Sequence, residues 1–282
     1  MRPSEIFRGD LFADQVAVIT GGGTGIGVAI ARELGRLGAT VVIASRKEAN
    51  IRPAAEGLTA ELGREVIGEI CDIRDRGAVT SLVERVLGRV GRIDLLVNNG
   101  GGQFFAPAEA ITPKGWDAVV ATNLTGTWNM TRAVADGWML AHGGTVLSIT
   151  MLTKRTFPGM AHSVAARAGI EAMTRTLAVE WASKGIRLNC VAPGFVASSG
   201  LRRYPAGLDL IAQMKSLVPM KRLARCEEVA WTVAWLASPA GAYVTGQVIT
   251  LDGGKELWGD WWPIADPPDM EPVVIPKEPW EE

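Results

Sequence analysis

Hydrophobic residues along this chain fall into short, nearly unbroken runs, separated by longer stretches in which they recur every three or four positions. Val16 to Thr20 and Thr40 to Ala44 are β-branched runs that predict buried strands. Between them Ile26, Ile30, Leu34 and Leu37 mark one face of a helix, which should stop at Gly38. Further strands are predicted over Glu65 to Cys71, Ile93 to Val97, Gly144 to Ile149, Arg187 to Val191 and Gln247 to Leu251. Each gap between them is long enough for a crossover helix. Apolar strands spaced in this way predict an α/β fold: a doubly wound, Rossmann-type parallel sheet with helices on both faces. A single domain is expected over residues 1–254, its wound core starting near residue 11.

Residues 255–282 break the pattern. They hold six of the 15 prolines and four of the 10 tryptophans, with eight acidic and two basic residues. Proline at that density excludes a helix or a central strand. Exposing Trp258, Trp261 and Trp262 together would be costly. An extended acidic arm, packed on its own domain or on a neighbouring subunit, is expected.

Composition narrows the function classes. The net charge of −1 gives no field for nucleic acid or an anionic membrane. No apolar run reaches the ~18 residues needed to span a bilayer. Cys71, Cys190 and Cys226 are too scattered for a metal site or a disulfide framework, and two histidines make a His-rich metal site improbable, so no metal is expected. Neither a leader-like segment nor a peroxisomal address is apparent, which favours the cytoplasm. Tyrosine is scarce: Tyr204 and Tyr243 are the two present.

The first strand runs straight into Gly21-Gly22-Gly23-Thr24-Gly25-Ile26-Gly27 and then into the helix. Glycines there let the backbone turn sharply and approach a pyrophosphate, and a helix N-terminus favours its charge. Gly21, Thr24, Gly25, Ile26 and Gly27 are therefore candidate dinucleotide contacts. The second strand ends in Ser45-Arg46-Lys47, with no acidic residue from Val41 to Lys47 to accept from a ribose 2′-OH. Arg46, beside Ser45, offers a donor fork suited to a 2′-phosphate, so NADP(H) is the expected cofactor.

These residues carry a resemblance. Thr20 to Gly27, Asn98-Asn99-Gly100-Gly101, Asn123 in Asn-Leu-Thr-Gly, Pro193-Gly194 and Asp252-Gly253-Gly254 together resemble the ordered motifs of the short-chain dehydrogenases/reductases, over roughly residues 12–254. The resemblance implies seven parallel strands and a homotetramer, with a homodimer as the alternative. It places Asp72 and the adjoining Ile73 by the adenine, Asn99 and Gly100 near the adenosine ribose, and Pro193, Gly194, Val196 and Ser198 near the nicotinamide and pyrophosphate.

The departure lies at the chemistry. A usual member has Ser, then Tyr thirteen residues on, then Lys four further, the Tyr giving its proton to a carbonyl oxygen. Here those slots hold Thr150, Ser163 and Arg167, and Asn123 is retained. Arginine stays charged and can hold a ribose, but a serine hydroxyl is too weak an acid to replace a phenol near neutrality.

His162 to Gly169, Gly100 to Phe104 and Gly185 to Gly194 resemble the peroxisomal trans-2-enoyl-CoA reductases, with 2,4-dienoyl-CoA reductases next; the tyrosine of mitochondrial dienoyl enzymes is replaced by Leu152. The resemblance implies NADPH-dependent reduction of the C2=C3 bond of an acyl-CoA-type substrate. Conjugate reduction asks for donors around an enolate oxygen, and Asn123, Thr150 and Ser163 are candidates. Arg167 would fix the nicotinamide ribose. The proton could come from water, from Tyr204 in a lid over about Phe195 to Leu217, or through His162; Tyr243 reads as structural. Dienoyl-CoA or alicyclic enoyl-CoA reduction, carbonyl reduction and a catalytically silent NADP-binding subunit stay open. Met173, Leu177 and Trp181 read as core or subunit contact, the resemblance favouring the latter.

Overall fold

A computed structural model describes residues 8–155, 157–203, 210–259, 262–268, 273–275 and 277. Seven strands form one parallel sheet in the order β3-β2-β1-β4-β5-β6-β9. They are β1 (Val16–Thr20), β2 (Thr40–Ser45), β3 (Val66–Ile70), β4 (Leu95–Asn98), β5 (Gly144–Ile149), β6 (Ile186–Pro193) and β9 (Val248–Leu251). The chain reverses direction across the sheet between β1 and β4, where an open α/β sheet leaves a crevice for ligands. Two short strands, β7 (Val196–Ala197) and β8 (Ala224–Arg225), pair beyond β6.

The helices cover both faces. α1 (Gly25–Arg36), α2 (Glu48–Leu62) and α9 (Cys226–Ala237) lie on one face, where Ile30, Leu34, Ile43 and Leu147 are fully buried. α3 (Arg76–Val90), α5 (Gly126–Val134) and α7 (Ala161–Glu180) lie on the other, around Leu82, Leu96 and Met130. Gly38 ends the first helical unit in the left-handed region, φ +101°. α4 (Pro113–Val120), α5 and α6 (Leu140–His142) follow head to tail, joined by π-helical turns at Ala121–Thr125 and Ala135–Met139. α8 (Leu210–Ser216) lies between β7 and β8 in the chain.

The predicted strands match the sheet with shifts of one or two residues: β4 starts at Leu95 and β6 extends to Pro193. Leu177 and Trp181 are buried in the core and Met173 packs against it. That stripe therefore serves the intramolecular core, because the face of α7 carrying it lies on the sheet.

Part of the C-terminal segment is described. Arg155 donates from its guanidinium to the Lys255 and Trp258 carbonyls, and Lys154 N–H donates to Glu256 Oε1 at 3.1 Å. The Lys221 ammonium stands 4.9 Å from the centre of the Trp258 ring. These contacts lay the start of the segment against the loop after β5 and the turn before β8.

Candidate active site

The site opens at the carboxyl ends of β1, β4, β5 and β6. Gly21 has φ +64°, and a Cβ there would stand 2.9 Å from the Asn99 amide nitrogen. A Cβ on Gly27 would stand 2.2 Å from the Gly21 carbonyl oxygen. Side chains at either point would fill the turn, so the glycines keep it tight enough for backbone to approach a ligand. Thr24 caps α1 in an extended conformation with no side-chain capping bond, and Ile26 is half-buried against the core. Gly25 lies opposite Ser198 and Ser199: a Cβ on it would be 3.6 Å from Ser198 Cβ. The fold thus brings Ser198 to the glycine loop from a hundred and more residues away.

The loop after β4 is bound to the glycine loop. Thr20 Oγ1 accepts from the Asn99 and Gly100 N–H groups at 3.1 and 2.9 Å. Asn99 Nδ2 donates to the Thr20 and Gly21 carbonyls, both at 3.1 Å. The Asn99 side chain therefore shapes the loop. Ile73 is buried, wedged against Gly100 and Gly126.

At the end of β2, Ser45 is half-buried and Arg46 and Lys47 are exposed. Asp72 sits close enough for Arg46 to help hold its carboxyl below the usual range, although the larger cause is Arg74. Arg74 grips Asp72 through Nε and Nη2, the latter at 2.5 Å. Arg74 was not singled out from sequence; its place two residues after Asp72 was the available signal.

At the other end, Asn123 is fully buried in the π-helical turn after α4. Its Oδ1 accepts from the Gly102 N–H at 3.2 Å, and its Nδ2 donates to the Gly102 and Val119 carbonyls at 2.7 and 2.9 Å. Asn123 thereby holds the Gly101-Gly102 loop. Arg167, on the second turn of α7, is 8% exposed and donates from Nη1 to the Ile149 carbonyl. Burial pulls its pKa down to about 10, so it is still charged at neutral pH. Its buried Nε has no hydrogen-bond partner in the protein. An orphaned guanidinium donor is costly unless a ligand supplies an acceptor. The glycine cradle fits the backbone approach that a dinucleotide pyrophosphate needs.

Ser163 is fully buried; its hydroxyl faces Met151 Sδ at 3.5 Å, a weak acceptor. Its N–H donates to His162 Nδ1 at 2.9 Å. That fixes the proton of a neutral His162 on Nε2, which is buried and unpaired, with the ring edge-on to Phe104 at 4.3 Å. Thr150 donates to Glu171 Oε1 at 3.3 Å and lies 3.4 Å from the Val191 carbonyl. Thr153 donates to Glu171 Oε2 at 2.9 Å. Glu171 went unnoticed in the sequence, although it continues the 163, 167, 171 spacing along one face of α7.

Pro193 and Gly194 end β6, and a Cβ on Gly194 would press on Asp252 at 3.0 Å. Val196 is buried in β7, and Leu152 is buried too. Phe105 packs on Gly159, and the Phe157 and Phe195 rings meet at 6.2 Å, giving the mouth an aromatic wall. Tyr204 lies outside the described residues. Tyr243 is fully exposed before β9, at the amino ends of the strands and so away from the site. Among the described residues no group of His, Cys, Asp and Glu could hold a metal, and no helix is long and apolar enough to cross a membrane.

Residues 21–256 match the family model described as Enoyl-(Acyl carrier protein) reductase. A peroxisomal 2,4-dienoyl-CoA reductase of Danio rerio is 39% identical over 256 residues, 90% of this chain and 85% of the relative. The solved citronellol catabolism dehydrogenase of Pseudomonas aeruginosa PAO1 is 39% identical with a TM-score of 0.80, covering 89% of this chain and 98% of its own. Actinorhodin polyketide ketoreductase, solved with NADPH, is 33% identical with a TM-score of 0.82, covering 86% and 98%. The chain belongs to the short-chain dehydrogenase/reductase family. It is an oxidoreductase of the group that includes the dienoyl-CoA reductases.

Proposed function

We propose that the protein reduces the C2=C3 double bond of a trans-2-enoyl-CoA with NADPH. The observation that carries this reading is the slot at position 163. It holds a fully buried serine hydroxyl turned toward a sulfur, where carbonyl reduction needs a phenol at the substrate oxygen. A C=C bond conjugated to a thioester needs no such acid at the hydride step. Charge moves to the thioester oxygen, where preorganised donors lower the barrier.

A bound reduced nicotinamide supplies the hydride for Cβ. Arg167 would hold the nicotinamide ribose with its guanidinium charge. Asn123 fixes the Gly101-Gly102 loop that backs the ring. Arg46 takes the 2′-phosphate, with Lys47 as a second charge. Thr150, Ser163 and His162 are the candidate donors for the substrate end, and Tyr204 or water closes the list of acids. The aromatic wall of Phe105, Phe157 and Phe195 suits a flat conjugated acyl group.

The Danio rerio relative's name supports a second reading, reduction of a 2,4-dienoyl-CoA. Carbonyl reduction is the third, and a silent NADP-binding subunit the fourth. NADPH absorbance with crotonyl-CoA, a longer enoyl-CoA, a dienoyl-CoA and acetoacetyl-CoA separates them. Oxidation with acetoacetyl-CoA alone would overturn the first reading, and tight NADPH binding without turnover would favour the silent subunit. We further assign a cytoplasmic homotetramer with an acidic arm from residue 255. Sedimentation as a monomer would refute that assembly.

A further inference from the structure

The carboxyl group of Glu171 is buried behind Thr150, and two threonine hydroxyls converge on it. Thr150 has one hydroxyl proton. While Glu171 is ionised, that proton is directed at Oε1, and the Thr150 oxygen can only accept from a substrate. Once Glu171 is protonated, its own O–H can donate into Thr150 Oγ1, and the Thr150 proton is released from the carboxylate to the Val191 carbonyl, 3.4 Å away, or to a substrate. The proton on Glu171 therefore sets the direction of the Thr150 hydrogen bond.

We propose that Glu171 is the proton reservoir of the reduction, acting through Thr150. This rests on the enoyl-thioester reading. Hydride adds to Cβ, and the C2=C3 pair moves onto the thioester as an enolate. The enolate re-forms its C=O, and Cα takes the Thr150 hydroxyl proton. Thr150 takes the Glu171 proton as the Glu171 O–H bond breaks, and water reprotonates the carboxylate. One hydride and one proton enter the acyl chain.

The groups facing Glu171 suit the task. Arg175 on α7 lowers its pKa and Glu256, beyond β9, raises it; Cys190 faces it from β6, and Arg167 lies one turn earlier on α7. Burial outweighs the threonine and Arg175 contributions and leaves the carboxyl above the ordinary glutamate range. Glu171 touches no substrate and is a positioning residue.

The test is the pH profile of kcat for the full-length protein and its Glu171→Gln and Thr150→Val variants, alongside NADPH Kd. Turnover should fall as pH rises through the Glu171 pKa in the wild type. Glu171→Gln should lower kcat about a hundredfold, abolish that fall with pH, and leave NADPH Kd unchanged. A kcat within about threefold with the same pH dependence would overturn the proposal. A second readout needs no turnover: ¹³C NMR of glutamate carboxyls, with Glu171 assigned by its absence in Glu171→Gln. If that variant does not fold, Thr150→Val makes the assignment by shifting the signal. A titration midpoint above the ordinary glutamate value supports the reservoir, and one at or below it refutes it. Should the wild type reduce acetoacetyl-CoA and no enoyl thioester, the enoyl reading falls by itself. The same pH comparison then still judges Glu171, with the proton ending on the alkoxide.

Discussion

Gly101 is packed directly against Arg167: a Cβ on Gly101 would stand 2.3 Å from the Arg167 Nη2 and 2.6 Å from Asn123 Oδ1. Gly101→Ala should therefore displace the guanidinium proposed to hold the ribose. Overpacking costs about 1–3 kcal/mol, so NADPH Kd should rise about tenfold or more with the fold intact. Isothermal titration of NADPH together with circular dichroism checks this; unchanged affinity would remove Arg167 from the ribose.

Arg46→Ala should erase the preference for NADPH over NADH. A charge-assisted contact to a phosphate is worth roughly ten- to a hundredfold, and the loss should appear in KM for NADPH with NADH kinetics unchanged. An unaltered ratio would mean that Arg46 is a solvated surface charge.

The sheet was legible because β1 and β2 are continuous apolar runs and a parallel sheet buries both faces of its strands. The glycine loop was legible for a related reason: backbone that must approach a ligand tolerates few residues. The joining of α4, α5 and α6 through π-helical turns was not. Gly126 and Gly137 look like breaks, but Ile73 leaves no room for a Cβ at Gly126 and Val83 would be crowded by one at Gly137. The pairing of Thr150 with Glu171 was hidden too, because a contact between the residue just after β5 and one on a helix twenty-one residues on has no local pattern. The motif points to Asn123, but that its amide is spent on holding a loop is something no motif reveals.

Glu171 also bears on stability. Its folded pKa is raised by burial, so its contribution is fully present below the unfolded glutamate value of about 4.3 and is lost as pH rises through the folded value. Urea unfolding of the wild type against Glu171→Gln should show the wild type losing ground with rising pH in that window. A constant difference across it would contradict the shift.

Cys190 is buried, and its thiol is pushed up to about 12; Cys71 is raised to about 11, also by burial. Neither should react with a thiol reagent at neutral pH until the protein unfolds. Mass spectrometry after iodoacetamide, with and without guanidinium, checks this, and rapid native labelling of Cys190 would disprove it.

Trp258→Ala removes the ring under the Lys221 ammonium. Trypsin should then cut after Lys255 sooner, with Tm moved by no more than a few degrees, because the contact is peripheral to both core clusters. Unchanged cleavage would mean that the Arg155 and Lys154 contacts suffice to anchor the segment.

The Thr20 hydroxyl, shared between the Asn99 and Gly100 amides, has a thermodynamic consequence. It fuses the turns after β1 and β4 into one rigid rim before any nucleotide arrives. Loop ordering therefore draws little from the binding free energy at that rim. Thr20→Val would unfasten it, and calorimetry should register the change as a larger entropic penalty on nucleotide association, with the ligand's own contacts intact.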